Sequence, residues 1–169
     1  MRSGLWNIIL FVLIFILQVL ICNYVDLGAY IYICLLPLLI INIPMKLDIR
    51  LTMLIGFALG LLLDFFANGV LGLNAAAATT LAAFKGPLFQ KTINKEHRYN
   101  IEVPSMRNVS VINYIIYLTM CTAIYLVTYM LLECVSLRPF LFILIRILIS
   151  LAVNVALMAI ISNSIMDRE

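Results

Sequence analysis

Residues 51–90 read LTMLIGFALGLLLDFFANGVLGLNAAAATTLAAFKGPLFQ, and the organisation of the chain turns on how they divide. Leu51 to Ala67 is an apolar run broken near its end by Asp64, and Val70 to Gln90 is a second run rich in alanine. Asn68-Gly69 lies between them, which predicts two membrane helices joined through a tight hairpin. The small residues fit that reading. Gly56 and Gly60 make a G-x-x-x-G step, and Asn74, Ala78, Ala82 and Gly86 recur every four residues on one helix face. Small residues let backbones approach closely, which is how helices associate where water supplies no drive. Two uses are open for this surface: packing inside the same bundle, the commoner one, or a groove for a partner's single span.

The rest of the chain has the same character. It has 169 residues, of which 65% are hydrophobic and 11% charged. Mean hydropathy is +1.15. A soluble domain has about 45–50% apolar and about 25% charged residues. These figures exclude a soluble globular protein, a disordered chain and a collagen-like chain, and four cysteines are too few for a disulfide scaffold. What remains is an all-α polytopic membrane protein, a single integral membrane domain over 1–169. Six transmembrane helices fit, at about 5–25, 29–43, 51–67, 70–90, 109–132 and 139–161. The second is short and interrupted by Pro37. The first follows a basic start, but its apolar stretch is longer than a signal peptide's and no A-x-A site follows. Ile21 before Cys22 argues against lipoprotein processing. The first helix is therefore expected to stay uncleaved.

Lysine and arginine in short loops set orientation. With six spans, one side holds both termini and the 44–50 and 85–108 loops. It carries Arg2, Lys46, Arg50, Lys85, Lys91, Lys95, Arg98, Arg107 and Arg168, while the other side carries Arg138 alone. Both termini are expected in the cytoplasm. The loop from Lys91 to Asn108 reads as a solvated connector held near anionic headgroups or as a docking segment for a cytoplasmic partner.

Little in the chain points to chemistry. His97, the single histidine, lies in that loop with nothing to complete a metal site. There is no G-x-S-x-G, no P-loop, no G-x-G-x-x-G and no pair of aspartates in adjacent spans. Cys22, Cys34, Cys121 and Cys134 form no C-x-x-C; small apolar filler is their commoner role, and a disulfide near the outer ends of the spans stays open. The expectation is no enzyme, no cofactor, no metal and no nucleic acid.

Charges inside a membrane are expensive, so they mark function or pairing. Asp64 and Arg146 are the two here. Asp64 lies about 21 Å along its span from Arg50, roughly 9 Å below the outer boundary of a ~30 Å core. Arg146 lies about 10 Å below the same boundary. Matched depth predicts an ion pair between spans three and six; the alternative is that Asp64 caps a helix end and Arg146 snorkels outward. Arg146, Ser150 and Asn154 recur every four residues, a polar stripe that faces the bundle interior, a cavity or a partner. Tyr114, Tyr117, Cys121 and Tyr125 form a matching face on span five, more often a sign of helix packing than of a ligand cavity.

The segment Gly56-Phe57-Ala58-Leu59-Gly60-Leu61-Leu62-Leu63-Asp64, followed by Gly69-Val70-Leu71-Gly72-Leu73-Asn74-Ala75, resembles the rod shape-determining protein family MreD. The length, six spans and cytoplasmic termini are similar to that family as well. The resemblance implies a fold like the six-helix substrate-binding component of energy-coupling-factor transporters. It implies a multi-pass protein of the bacterial inner (cytoplasmic) membrane and of the cell-elongation machinery for peptidoglycan. The implied partners are the bitopic protein MreC and, through it, MreB, RodA and a class B penicillin-binding protein. No catalysis is implied. Gly56, Gly60, Asp64, Gly69, Gly72 and Asn74 are the matching positions, expected to shape the hairpin and, with Ala78 and Ala82, a partner surface.

A second function fits the same architecture. Asp64, Arg146, Ser150 and Asn154 form a candidate intramembrane polar cluster; in a vitamin- or metabolite-binding transporter subunit, its span-six stripe of Arg146, Ser150 and Asn154 and the tyrosine face would line an outward pocket. Ligand separates the two, since a transporter subunit holds a vitamin tightly and a scaffold does not.

Overall fold

In the computed structural model, residues 2–24, 31–68, 70–93, 103–105, 108–133 and 140–166 are described. All regular structure among them is helical. Helix α1 is Arg2–Tyr24, α2 is Leu36–Ile41 and α3 is Ile49–Leu63, continued by a π-helical turn, Asp64–Asn68. Helix α4 is Leu73–Thr92, α5 is Val111–Glu133 and α6 is Phe140–Met166. Most of the 91–108 loop, with His97, Lys95, Arg98 and Arg107, lies outside the described residues, as do Gly69, Cys134 and Arg138.

The distribution of polarity is inverted relative to a soluble bundle. Leu54, Ile112, Leu141 and Ile160 are among the large apolar side chains on the outside. Gln18, Asp64, Asn74, Lys85, Ser150 and Asn154 are buried. An apolar exterior around a largely apolar core that also holds buried polar side chains is stable where the surroundings are hydrocarbon. Among the described residues, three helical stretches are long and apolar enough to cross a membrane: Ile49–Ala67, Val111–Glu133 and Leu141–Asn163.

Helix α4 packs against both α3 and α5, and α6 packs against α5. The α3–α4 contact is made by the small residues. A β-carbon on Gly60 would sit 2.5 Å from the Ala75 α-carbon and 2.5 Å from the Asn74 carbonyl oxygen. One on Gly56 would lie 3.1 Å from the Ala78 oxygen and 3.4 Å from the Ala82 β-carbon. Gly56, Gly60, Ala75, Ala78 and Ala82 are all buried. The stripe expected as a candidate partner surface is thus spent on internal packing, since two backbones this close leave no groove.

The second expected span, 29–43, is not one helix. Its described part runs irregularly from Ile31 to Leu35 and then turns through α2, six residues or about 9 Å long. Pro37 occupies the first turn of α2, where its missing N–H is not needed. Every residue of α2 is buried, so this helix is an internal plug between α1, α4 and α5. Helix α1 is the most peripheral: it touches α2 and the π-helical turn, and Ile9, Val12, Leu13, Ile16 and Leu20 face outward.

Candidate functional site

Two polar side chains on neighbouring elements organise the interior. The chain leaves α3 through the π-helical turn, which swings Asp64 inward and leaves Phe65 and Phe66 exposed, edge to face at 5.3 Å. A few residues later α4 begins at Gly72, whose φ of +105° favours glycine and which carries no side chain to cap the helix. Asp64 supplies the cap instead. Its two oxygens accept from the backbone amides of Gly72 at 2.9 Å, Asn74 at 3.0 Å and Ala75 at 3.2 Å. The Asn74 side-chain amide donates a fourth bond at 2.9 Å. A fully buried carboxylate is tolerated because four N–H donors and the positive end of α4 replace water.

Asn74 then carries the network across the bundle. With its amide nitrogen on Asp64, its oxygen accepts from the hydroxyls of Tyr32, at 2.9 Å, and Tyr125. The Tyr125 oxygen in turn accepts from the Cys34 thiol at 3.2 Å. Tyr32 stacks on Tyr129 with ring centroids 4.3 Å apart. One asparagine therefore joins the α3–α4 hairpin, the 31–35 segment and α5.

The 31–35 segment makes no helix, so its amides and carbonyls need outside partners. Helices α1 and α6 provide them. The Tyr32 amide donates to Ser150 Oγ at 3.0 Å, and Asn154 Nδ2 donates to the Tyr32 carbonyl at 2.6 Å. The Cys34 amide donates to Asn154 Oδ1 at 2.7 Å. From the other side, Gln18 Oε1 accepts from the Leu35 amide at 2.6 Å, and its Nε2 reaches the Ile33 carbonyl at 3.3 Å. Ser150 and Asn154 are one turn apart, so a single face of α6 holds Tyr32 and Cys34, on either side of Ile33. Asn23 fastens the end of α1 by donating to the Phe66 carbonyl at 3.1 Å.

The structure separates the two charges expected to pair. Asp64 is consumed by the start of α4, and Arg146 binds Glu133 at 2.7 Å across the α5–α6 hairpin. Similar depth is no test of azimuth: Glu133 ends the helix packed against α6, whereas Asp64 faces α4. The four-residue cluster Asp64, Arg146, Ser150, Asn154 is accordingly three sites: a helix cap, an ion pair and a clasp on the 31–35 segment. Tyr114, Tyr117, Cys121 and Tyr125 all face inward. Lys85, counted above with the loop cations, belongs to α4 and is buried. Cys22, Cys34 and Cys121 are free thiols.

No family model, curated protein or solved structure matches this chain.

The sequence reading missed three working residues. Gln18 carried a signal, as an amide in the middle of an apolar run. Glu133 sits one residue past the expected end of span five and looked like a boundary. Tyr32 carried none, because a tyrosine near a span end is usually interfacial. Among the described residues, no three His, Cys, Asp or Glu side chains come together as a metal site would require. The buried side-chain polar atoms without a hydrogen-bond partner among the described residues, Tyr117 Oη and Arg146 Nε, lie outside the network. What the arrangement does is hold an irregular segment and a tight hairpin in one geometry.

Proposed function

We propose that this protein is a non-catalytic inner-membrane scaffold of the bacterial cell-elongation complex, of the MreD type. In this reading six membrane passes, with both termini in the cytoplasm, support an MreC-like bitopic partner. Through that partner the scaffold acts on RodA, a class B penicillin-binding protein and MreB. The observation that carries the reading is the hairpin. Gly56, Gly60, Asp64, Gly72 and Asn74, the residues of the MreD-like pattern, act as one interlocked unit: two remove side chains, one frees a turn, and two bond the halves together. The satisfied polar core favours a scaffold over a vitamin-binding subunit, because Ser150 and Asn154 are occupied by the protein's own backbone. With the small-residue stripe spent internally, a partner span would meet the outward faces of α1 and α3.

The test is gentle detergent extraction of the tagged full chain, with mass spectrometry of co-purifying proteins and small molecules. A single-span protein with a periplasmic coiled coil, together with peptidoglycan synthases, is the expected catch. A bound vitamin, or an ATPase pair with a coupling membrane subunit, would overturn the scaffold reading in favour of a transporter.

A further inference from the structure

The two turns that flank α3 are built for different surroundings. In the turn before it, Pro44, Lys46 and Asp48 are exposed. Asp48 caps α3 from the surface, accepting from the Arg50 amide at 3.4 Å. The turn after α3 reverses this arrangement. Phe65 is 70% exposed and Leu71 63%, with Phe66 and Val70 close behind. The carboxylate of that turn, Asp64, is fully buried. Charge faces outward in the first turn, and apolar surface faces outward in the second.

Loops run over protein surfaces because water satisfies their backbone groups. The second turn takes its partners from the protein instead. Asp64 accepts from the amides of Gly72, Asn74 and Ala75, and the Phe66 carbonyl accepts from the Asn23 side chain at 3.1 Å. Such partners are what a turn needs where no water reaches it. Depth gives the same answer. With Arg50 at one edge of the hydrocarbon, Asp64 lies roughly 9 Å below the opposite edge, and Phe66, two residues on, roughly 6 Å below it. Tilt of α3 would only sink the turn further. The bond from Asn23 sets the end of α1 beside the turn, and the exposed Tyr24 there is the residue type that marks the edge of the hydrocarbon.

We propose that the turn after α3 lies inside the membrane, with Phe65, Phe66, Val70 and Leu71 set among lipid acyl chains. The α3–α4 hairpin then crosses nearly all of the hydrocarbon from the side of Arg50 and Lys91 and turns back beneath the far headgroups, showing no loop to water there. The complement of this surface is lipid, because the turn's one charged residue points inward and its backbone partners are protein. This inference rests on the membrane reading of the chain and not on the scaffold reading.

The experiment places a tryptophan at the turn of the full chain. Trp6 is the chain's single tryptophan, so Trp6→Phe supplies a silent background, to which Phe66→Trp or Leu71→Trp is added. Each protein is reconstituted into phosphatidylcholine vesicles with and without bromine on the acyl chains. Its emission is read again with aqueous iodide on both sides of the vesicle. Loss of emission to lipid bromine, and none to iodide, is expected of both reporters. Phe66 stands in the π-helical turn and Leu71 just ahead of α4, so if one substitution fails to fold the other decides. Loss of emission to iodide would place the turn in water and overturn the proposal. Emission indifferent to both quenchers would mean that protein covers the turn, a second copy of the chain included, and would overturn it as well.

Discussion

The α3–α4 hairpin and the 31–35 segment solve the same difficulty in opposite ways. Both must bring backbone into the middle of a bundle with no water to satisfy it. The hairpin keeps its backbone helical and deletes side chains, so that Gly56 and Gly60 lie against Ala75 and Ala78. The 31–35 segment abandons the helix and recruits side chains, so that Gln18, Ser150 and Asn154 replace the missing ladder. The first solution is steric and brittle. The second is distributed over several hydrogen bonds and should fail gradually.

The largest effect is expected at Gly60. Gly60→Leu drives carbon into the Asn74–Ala75 backbone, which cannot yield, and should abolish a monodisperse folded protein in detergent. Gly60→Ala should cost about 3 kcal/mol, at the upper end of overpacking, read as a lowered midpoint in thermal unfolding. A wild-type midpoint for Gly60→Ala would mean that the two helices are not in contact. Gly56→Ala, with 3.1 Å rather than 2.5 Å to its nearest neighbour, should cost less.

Next comes the carboxylate that joins the two regions. Asp64→Asn keeps the size but points an amide at N–H donors, and should cost about 2–3 kcal/mol, the scale of hydrogen bonds to a charged group. Exchanging the charges, Asp64→Arg with Arg146→Asp, should not rescue either single variant. Recovery of wild-type stability in the double variant would restore the ion pair that the structure dissolves.

Gln18→Leu tests the distributed solution. It removes two bonds to the 31–35 backbone and should cost about 1–2 kcal/mol, with faster hydrogen exchange at Leu35 and unchanged exchange in α4. If exchange quickens in α4 to the same degree, the two regions are one cooperative unit rather than two. The smallest effect is expected at the ion pair. Glu133→Gln should cost about 1 kcal/mol or less, because that carboxylate lies near a helix end with a side chain 31% exposed. A loss as large as that of Asp64→Asn would promote this pair to a structural anchor.

Much of the hairpin was legible in the residues themselves. The apolar runs on either side of Asn68-Gly69 became α3 and α4, because a long apolar stretch has one stable backbone solution away from water. The use of Gly56 and Gly60 was legible only as a choice between two surfaces. A small-residue face is the same whether its neighbour belongs to the same chain or to another. The second span misled for a related reason: hydropathy reports that 29–43 is apolar, not whether its amides bond within the segment or to Gln18 and Asn154.

By itself, then, the sequence determined the environment and the helical runs, because both follow from local apolar content and length. Helix pairing, the cap that Asp64 places on α4, the partner of Arg146 and the burial of Lys85 were decided by the tertiary structure alone. Each depends on the rotation of one helix about its axis against another. Depth in a membrane is written in residue counts; azimuth is set only when the small residues of α3 and α4 meet and the remaining helices pack around them.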